Sequence, residues 1–266
     1  MAISHYSVTA NVIQFASFNH DPAAPREKQR FRPGDVSHGV LPFYHIYAMI
    51  MLLHAITFLG VSSRLLPKNE PTIYLSFQHS VVVVSKFDFN SFLSSIHKYS
   101  ITHLWIVPPM AVLISKHPAS SREKYKSIRY CMVGAAPVSA EVSTQLNAML
   151  PDDAAVGQGY GMTESSTVLT VQPLEHLKGV SGSAGRLVTN CIARVVKSDG
   201  SLGGVGEEGE LVIKSPATPL NYYLNNEQAN RETFVDGWLR TGDEVYFDKV
   251  GVGPTVKELQ PVADQS

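Results

Sequence analysis

Apolar side chains recur at a helical period in several parts of the chain. Val8, Val12 and Phe15 fall on one face of a helix predicted over residues 4–18. Asp88 suits the N-cap of a helix whose apolar residues follow at i, i+3, i+4 and i+7. The same pattern predicts further helices over residues 46–60, 110–116 and 139–150.

Short apolar runs alternate with these helices. Four valines at residues 81–84 are typical of a strand that is fully buried. The other predicted strands lie at residues 36–42, 103–107, 128–133 and 154–156. Because strands that alternate with helices are joined by right-handed crossovers, this pattern predicts parallel β-α-β layers and an α/β fold.

The pattern changes after residue 166. Short alternating segments are separated by glycine-rich turns, which predicts a small antiparallel β subdomain. We therefore divide the chain into a partial α/β portion, a β-rich portion and a tail, at residues 1–166, 167–248 and 249–266.

Residues 62–80 interrupt the regular alternation. They contain two prolines and show no clear hydrophobic period, so we interpret them as an irregular insertion. Translated non-coding sequence and a genuine surface loop are the two explanations for such a segment.

Composition describes an ordinary globular chain. Its 266 residues are 44% hydrophobic and 17% charged, with a formal net charge of −1, so no nucleic-acid-binding surface is expected. Cys131 and Cys191 form no C-x-x-C pair, which indicates neither a metal site nor a disulfide framework and suits a reducing compartment.

Targeting signals are not apparent. No secretory signal opens the sequence, residues 46–60 are too short to span a bilayer, and the last residues are not S-K-L. An intracellular protein, cytoplasmic or peroxisomal, is expected. The sequence leaves its oligomeric state open.

The strongest candidate for chemistry is the glycine stretch at residues 157–165, GQGYGMTES. Its three alternating glycines allow positive φ or close approach of the backbone to a ligand. Thr163 can donate to a phosphate oxygen, and Glu164 can hold a hard cation such as Mg²⁺. A tight turn that begins a helix explains the same residues, so this stretch alone leaves both interpretations open.

Position along the chain favours a ligand site. His45, residues 134–137 and the glycine stretch each follow a predicted strand. In open α/β sheets the ligand lies beyond the carboxyl ends of the strands, where these three segments would converge.

Five motifs occur in the order typical of the adenylate-forming superfamily, which includes acyl-CoA synthetases, 4-coumarate–CoA ligases, luciferases and peptide-synthetase adenylation domains. Residues 158–164 (QGYGMTE) resemble its core motif, and residues 237–243 (GWLRTGD) resemble its ribose-binding motif. Residues 41–47 (LPFYHIY) are similar to its acyl-pocket histidine segment, and 133–139 (VGAAPVS) and 182–186 (GSAGR) to two further motifs. The 4-coumarate–CoA ligase-like branch shows the greatest resemblance.

The resemblance implies a two-step ligase reaction. A carboxylic acid attacks the α-phosphate of ATP to give an acyl-adenylate and pyrophosphate, and the thiol of coenzyme A then displaces AMP. ATP, coenzyme A, Mg²⁺ and a small carboxylic acid are the implied cofactors and partners. A role in specialised metabolite biosynthesis is consistent with this branch, while the identity of the acid is not predicted.

The resemblance also assigns roles residue by residue. The implied catalytic residues are His45 beside the substrate carboxylate, Thr163 at the AMP phosphate and Glu164 as the Mg²⁺ ligand. The implied nucleotide-binding residues are Ala135, Gln158, Gly159, Tyr160, Gly161, Thr163 and Asp243, with Asp243 at the ribose. The implied acyl-binding residues are His45, Tyr47, Gly134 and Ala135. A core role for His45, a packing role for Tyr47 and a turn role for Asp243 are the alternatives.

Three departures from the family pattern favour a fragment or a degraded copy. A phosphate-binding loop with a lysine is expected ahead of residues 3–11, and residues 62–80 are an unusual insertion. Pro254 and Thr255 stand where an Asp-Arg hinge precedes the family's mobile C-terminal domain, which is expected to be absent together with its catalytic lysine. An inactive remnant with residual nucleotide binding, or adenylation with an acceptor other than coenzyme A, are therefore the alternative functions.

Overall fold

The computed structural model describes most of the chain, namely residues 1–25, 28–59, 79–84, 86–180 and 182–248 and the backbone of 255–258. All but the last two residues of the predicted insertion at 62–80 lie outside the described residues. So does the predicted tail, apart from the backbone of 255–258.

A parallel sheet forms the first half of the fold. Its strands are β1 (Val36–Gly39), β2 (Ser80–Val83), β3 (His103–Ile106), β4 (Tyr130–Val133) and β5 (Ala155–Gln158). They lie in the order β2-β1-β3-β4-β5, and every neighbouring pair is parallel. The predicted α/β class is therefore confirmed.

Helices connect these strands and cover the sheet. They are α1 (His5–Phe18), α2 (Ile46–Ala48, continued by a π-helical segment Met49–Ala55), α3 (Phe89–Lys98), α4 (Pro108–Lys116) and α5 (Ala140–Met149). The predicted N-caps are confirmed: Asp88 accepts from the backbone N–H of Ser91 at 2.8 Å, and Ser139 from that of Val142 at 3.3 Å. Among the helices of the described part of the chain, none is both long and apolar enough to cross a membrane.

The prediction that the valine run is fully buried is wrong. Strand β2 lies at the end of the strand order, where Val83 is 60% exposed and Val81 and Val82 are only partly buried. β-branched side chains favour extended backbone whether or not a second layer covers them, so the run predicts the strand but not its place in the sheet.

An antiparallel sheet forms the second half, as predicted. Its strands are β6 (Tyr160–Met162), β7 (Thr167–Val171), β8 (Arg186–Leu187), β9 (Ile192–Val196), β10 (Gly209–Lys214), β11 (Phe234–Val235), β12 (Trp238–Asp248) and β13 (Thr255–Glu258). The order is β6-β7-β8-β13-β12-β10-β9, with β11 against β12, and helix α6 (Glu227–Thr233) precedes β11. This sheet begins at Tyr160, inside the glycine stretch, because β6 pairs with β7.

The glycine stretch links the two sheets. Only Gly159 separates β5 from β6, so the chain passes almost directly from one sheet into the other. None of the three glycines has a positive φ. A Cβ on Gly161 would lie 1.6 Å from the Thr167 carbonyl oxygen, and one on Gly157 would lie 1.5 Å from Gln172 Oε1. Close approach, rather than a turn, therefore requires these glycines.

The prediction that residues 237–243 form a turn is correct only at the first residue. Gly237, with φ of +76°, lies between β11 and β12, and the chain then continues as strand β12. Gly242, with φ of +75°, lies where the pairing register with β10 shifts. Glycine in this conformation suits a β-bulge, so Asp243 is presented by a bulged strand.

The crossing of the two sheets generates a stability prediction. Gly161→Ala should lower the free energy of unfolding by about 1–3 kcal/mol, because the new methyl group meets backbone that has to shift. Gly204→Ala is the control, since a Cβ there would lie 3.5 Å from the Glu207 side chain. Equal denaturation midpoints for the two variants would contradict a tight crossing.

A buried histidine generates a pH prediction. His38 is 1% exposed, its Nε2 lies 2.8 Å from Ser95 Oγ, and burial lowers its pKa from 6.5 to about 4. The His38 imidazole therefore binds a proton more readily in the unfolded chain than in the folded one. As a result, the folded state loses stability as the pH falls from about 6.5 towards 4. Between pH 7 and pH 5, wild type should lose about 2 kcal/mol more unfolding free energy than His38→Gln. Parallel pH profiles in denaturant titrations would refute this.

Candidate functional site

A cleft of about 270 Å³ lies between the carboxyl ends of the parallel strands and the first strands of the antiparallel sheet. It brings together the three segments that the sequence placed at strand ends. Its lining residues are His45, Ile46, Tyr47, Met132, Gly134, Ala135, Gly159, Tyr160, Gly161, Met162, Thr163, Glu164, Thr167 and Val168.

Tyr47 forms a fixed wall of this cleft. Its hydroxyl donates to the Met132 carbonyl oxygen at 2.9 Å, and burial raises its pKa well above the usual 10. Its ring lies close to Gly134, where a Cβ would be only 3.2 Å from the ring Cζ. The phenol is therefore neutral and hydrogen-bonded, and Gly134 is the residue that leaves room for its ring.

His45 lies at the N-terminus of α2 and is exposed, so it is not a core histidine. Its Nδ1 accepts from the backbone N–H of Tyr47 at 3.2 Å. A neutral imidazole that accepts at Nδ1 carries its proton on Nε2. His45 can therefore offer a donor to a ligand in the cleft.

Unfavourable backbone conformations cluster at the cleft. Ala135, Ser166 and Thr167 have φ of +73°, +57° and +104°, although none is glycine. Left-handed backbone costs an L-residue roughly 1–2 kcal/mol, and such strain persists only where the surrounding structure holds it. Thr167 is held in part through its hydroxyl, which donates to the Ile46 carbonyl oxygen at 3.0 Å.

Glu164 is held by two residues that sequence reasoning missed. The Tyr223 hydroxyl donates to Glu164 Oε1 at 2.6 Å, and the Asn221 amide donates to the Glu164 carbonyl oxygen at 3.0 Å. Burial, followed by the nearby Glu164 carboxylate, raises the pKa of Tyr223. The two residues lie 59 and 57 positions further along the chain, and no periodicity signals such contacts.

The charges of the cleft restrict what can bind. Among the described residues that line the cleft, Glu164 is the one carboxylate, and none is a lysine or an arginine. Within the described residues, no group of three or more His, Cys, Asp or Glu side chains could hold a metal ion. Mg²⁺ is usually bound by one or two carboxylates together with waters and substrate phosphates. A single carboxylate beside the Thr163 hydroxyl fits Mg²⁺ shared with a phosphate ligand, and does not fit an all-protein metal site.

Two predicted site residues lie outside the cleft lining. Gln158 borders a separate cavity of about 30 Å³, and its Oε1 accepts from the backbone N–H of Val138 at 3.0 Å. Asp243 contacts a residue of the cleft lining, Tyr160, whose hydroxyl donates to Asp243 Oδ2 at 2.5 Å. The other predicted residues all line the cleft. Of the lining residues that were not predicted, Ile46 and Met162 neighbour predicted ones along the chain, Met132 lies in the buried strand β4, and Thr167 and Val168 begin β7.

Known proteins similar in sequence are acid–CoA ligases. The profile of a family described as "AMP-binding enzyme" matches residues 1–223. Probable 4-coumarate–CoA ligase 1 of Dictyostelium discoideum is 34% identical over 252 residues, which cover 94% of this chain and 41% of that protein. Acyl-CoA ligase lcsD of Purpureocillium lilacinum is 33% identical, and the match covers 97% of this chain and 62% of that protein. The chain thus spans less than half the length of the first of these relatives.

Solved structures show the same fold. ATP-bound MatB from Rhodopseudomonas palustris superimposes with a TM-score of 0.76 at 24% identity, over 97% of this chain and 44% of that one. The o-succinylbenzoate coenzyme A synthetase MenE of Bacillus subtilis, in complex with ATP and magnesium, gives a TM-score of 0.68 at 23% identity, over 97% and 46%. At this level of identity the likeness concerns the fold.

The contact between Tyr160 and Asp243 generates a coupling prediction. Tyr160→Phe should lower the free energy of unfolding by about 1–2 kcal/mol, since it removes a hydrogen bond to a carboxylate. In an Asp243→Ala background the same substitution should cost much less, with a coupling energy of about 1 kcal/mol. Tyr6→Phe, at a residue that is 57% exposed, is the matched control. Additive effects of Tyr160→Phe and Asp243→Ala would show that the contact does not join β6 to β12.

Proposed function

The chain belongs to the AMP-binding enzyme family, and we propose that it is part of an acid–thiol ligase acting on ATP, a carboxylic acid and coenzyme A. The observation that carries the proposal is that one cleft brings together a histidine donor, a threonine hydroxyl and a carboxylate, from His45, Thr163 and Glu164. The names of the curated relatives as acid–CoA ligases support the same reaction class.

In the first step, a carboxylate oxygen bonds to the α-phosphorus of ATP and the bond to pyrophosphate breaks. The Thr163 hydroxyl would donate to an oxygen of that phosphate, and the Nε2–H of His45 would orient the attacking carboxylate. Glu164 would hold Mg²⁺, which supplies positive charge to the phosphate oxygens. Donors aimed at the position where charge develops lower the barrier most.

The nucleotide would lie along the strands that cross between the sheets. Ala135, Gly159, Tyr160 and Gly161 would contact it directly, since they line the cleft. Asp243 would accept from the ribose hydroxyls with Oδ1, because Oδ2 already accepts from Tyr160. The role proposed for Gln158 is indirect, since its contact to the Val138 N–H holds the 133–139 loop.

The acyl group would lie against Gly134 and Ala135, with Tyr47 as the back wall. Because Tyr47 is held by its bond to Met132, it would limit the depth of this pocket rather than adapt to the substrate. In the second step, the thiol sulfur of coenzyme A bonds to the acyl carbon, AMP leaves, and a thioester forms.

A second candidate function is nucleotide binding without turnover. The observation that favours it is the charge of the cleft, since the described residues that line it include no lysine or arginine to oppose the triphosphate. Catalysis of pyrophosphate departure needs such neutralisation, whereas binding of AMP needs less of it.

Carboxylate-dependent exchange of labelled pyrophosphate into ATP distinguishes these functions. We expect exchange by the purified chain with Mg²⁺ and one of 4-coumarate, o-succinylbenzoate, benzoate or hexanoate. Thr163→Ala should reduce the rate on the order of 100-fold, the typical effect of removing one donor to a developing charge. Thr144→Ala, on the exposed face of α5, should leave it unchanged.

Each other outcome has a defined meaning. Equilibrium binding of ATP or AMP without exchange would replace the ligase proposal with the second candidate. No binding of either nucleotide would overturn both. Exchange without thioester formation on addition of coenzyme A would indicate a different acyl acceptor.

A further inference from the structure

We propose that Tyr223 is a positioning residue for Glu164, fixing the carboxylate so that its second oxygen is available to Mg²⁺. This inference rests on the proposed function, because it assigns Glu164 the metal role. It adds a residue outside the cleft lining to the machinery of that site.

The contact itself is short and directional. The Tyr223 hydroxyl lies 2.6 Å from Glu164 Oε1, and a phenol donates to a carboxylate, which can only accept. The bond occupies one acceptor site of Oε1 and leaves Oε2 without this partner. A glutamate side chain has several rotatable bonds. A hydrogen-bond partner on one oxygen restricts these bonds before the metal ion binds, so less conformational entropy is lost on metal binding.

Tyr223 is in turn held on its main chain and its side chain. Its backbone N–H donates to Asn230 Oδ1 at 2.6 Å, and its carbonyl oxygen accepts from Asn230 Nδ2 at 2.8 Å. The Tyr223 ring centroid lies 6.2 Å from that of Phe234. The tyrosine therefore meets the carboxylate from a fixed position.

Helix α6 lies against β11 and β12 and presents Asn230 to Tyr223. None of the residues in Glu227–Thr233 is buried, so the helix does not contribute to either hydrophobic core. One of its polar side chains, that of Asn230, hydrogen-bonds both main-chain polar groups of Tyr223. A helix without a buried residue that fixes the main chain of this tyrosine supports a role for the tyrosine at the site.

Asn221 completes the arrangement on the main chain of Glu164. Its amide nitrogen lies within 3.0 Å of the carbonyl oxygens of Glu164 and Ala217 and 2.9 Å from Ser166 Oγ. Asn221 is buried, with 5% of its surface exposed. One segment thus fixes the backbone of Glu164 through Asn221 and its carboxylate through Tyr223.

The test measures how much Mg²⁺ strengthens ATP binding, by calorimetry on the purified full chain with and without MgCl₂. Tyr223→Phe keeps the ring and removes the hydroxyl. The factor by which Mg²⁺ strengthens ATP binding should then fall about tenfold, as is typical when a residue that holds a metal ligand is changed. ATP affinity without Mg²⁺ should not change. Tyr222→Phe removes a hydroxyl from the adjacent, 47% exposed tyrosine and should leave both values at the wild-type level.

A double-variant cycle separates positioning from a general structural effect. Glu164→Gln should remove most of the gain from Mg²⁺, and adding Tyr223→Phe to it should cause no further loss. Thermal unfolding of each variant monitors folding. A purely structural tyrosine would weaken Mg²⁺-free binding too, and would do so equally in both backgrounds.

The remaining outcomes overturn the inference in distinguishable ways. If wild type gains affinity from Mg²⁺ and Tyr223→Phe gains as much, Tyr223 does not position Glu164 and the proposed function stands. If wild type binds ATP with no gain from Mg²⁺, the metal role of Glu164 fails, and this inference fails with it.

Discussion

The close approach of the backbone at Gly157 and Gly161 is the constraint on which the site depends. One nearly continuous stretch of chain passes from the parallel into the antiparallel sheet, and neighbouring groups leave no room there for a Cβ. This crossing brings the carboxyl edge of one sheet against the first strands of the other. The cleft lies between this edge and these strands. Its opposing walls are therefore positioned by the backbone of the crossing and not by the conformation of a loop.

The cleft combines a rigid frame with strained backbone. Tyr47 is held by its hydrogen bond to Met132. Ala135, Ser166 and Thr167, in contrast, adopt left-handed backbone conformations that are unfavourable for residues with a Cβ. The two buried clusters on either side supply the packing that can offset this cost. The local strain therefore depends on the packing of the whole domain.

Three polar side chains of the cleft are oriented by hydrogen-bond partners. His45 is oriented by the Tyr47 N–H, Glu164 by Tyr223 and Tyr160 by Asp243. A ligand would therefore meet the His45 donor and the Glu164 carboxylate already in position, which reduces the cost of ordering these two side chains on binding. Because none of the described residues that line the cleft is cationic, the charge of a phosphate ligand calls for a metal ion or for groups beyond these residues.

Features that depend on neighbouring residues could be predicted from the amino-acid sequence. They are the alternation of helices and strands, the caps at Asp88 and Ser139 and the strand-end positions of the three site segments, which follow from local periodicity and hydrogen bonding. Three other features became visible only in the folded chain: the valine strand lies at an edge, Asp243 stands on a bulged strand, and Tyr223 contacts Glu164. Periodicity reports which side of an element is apolar, whereas the neighbours of that element and its long-range hydrogen bonds depend on strand order and register.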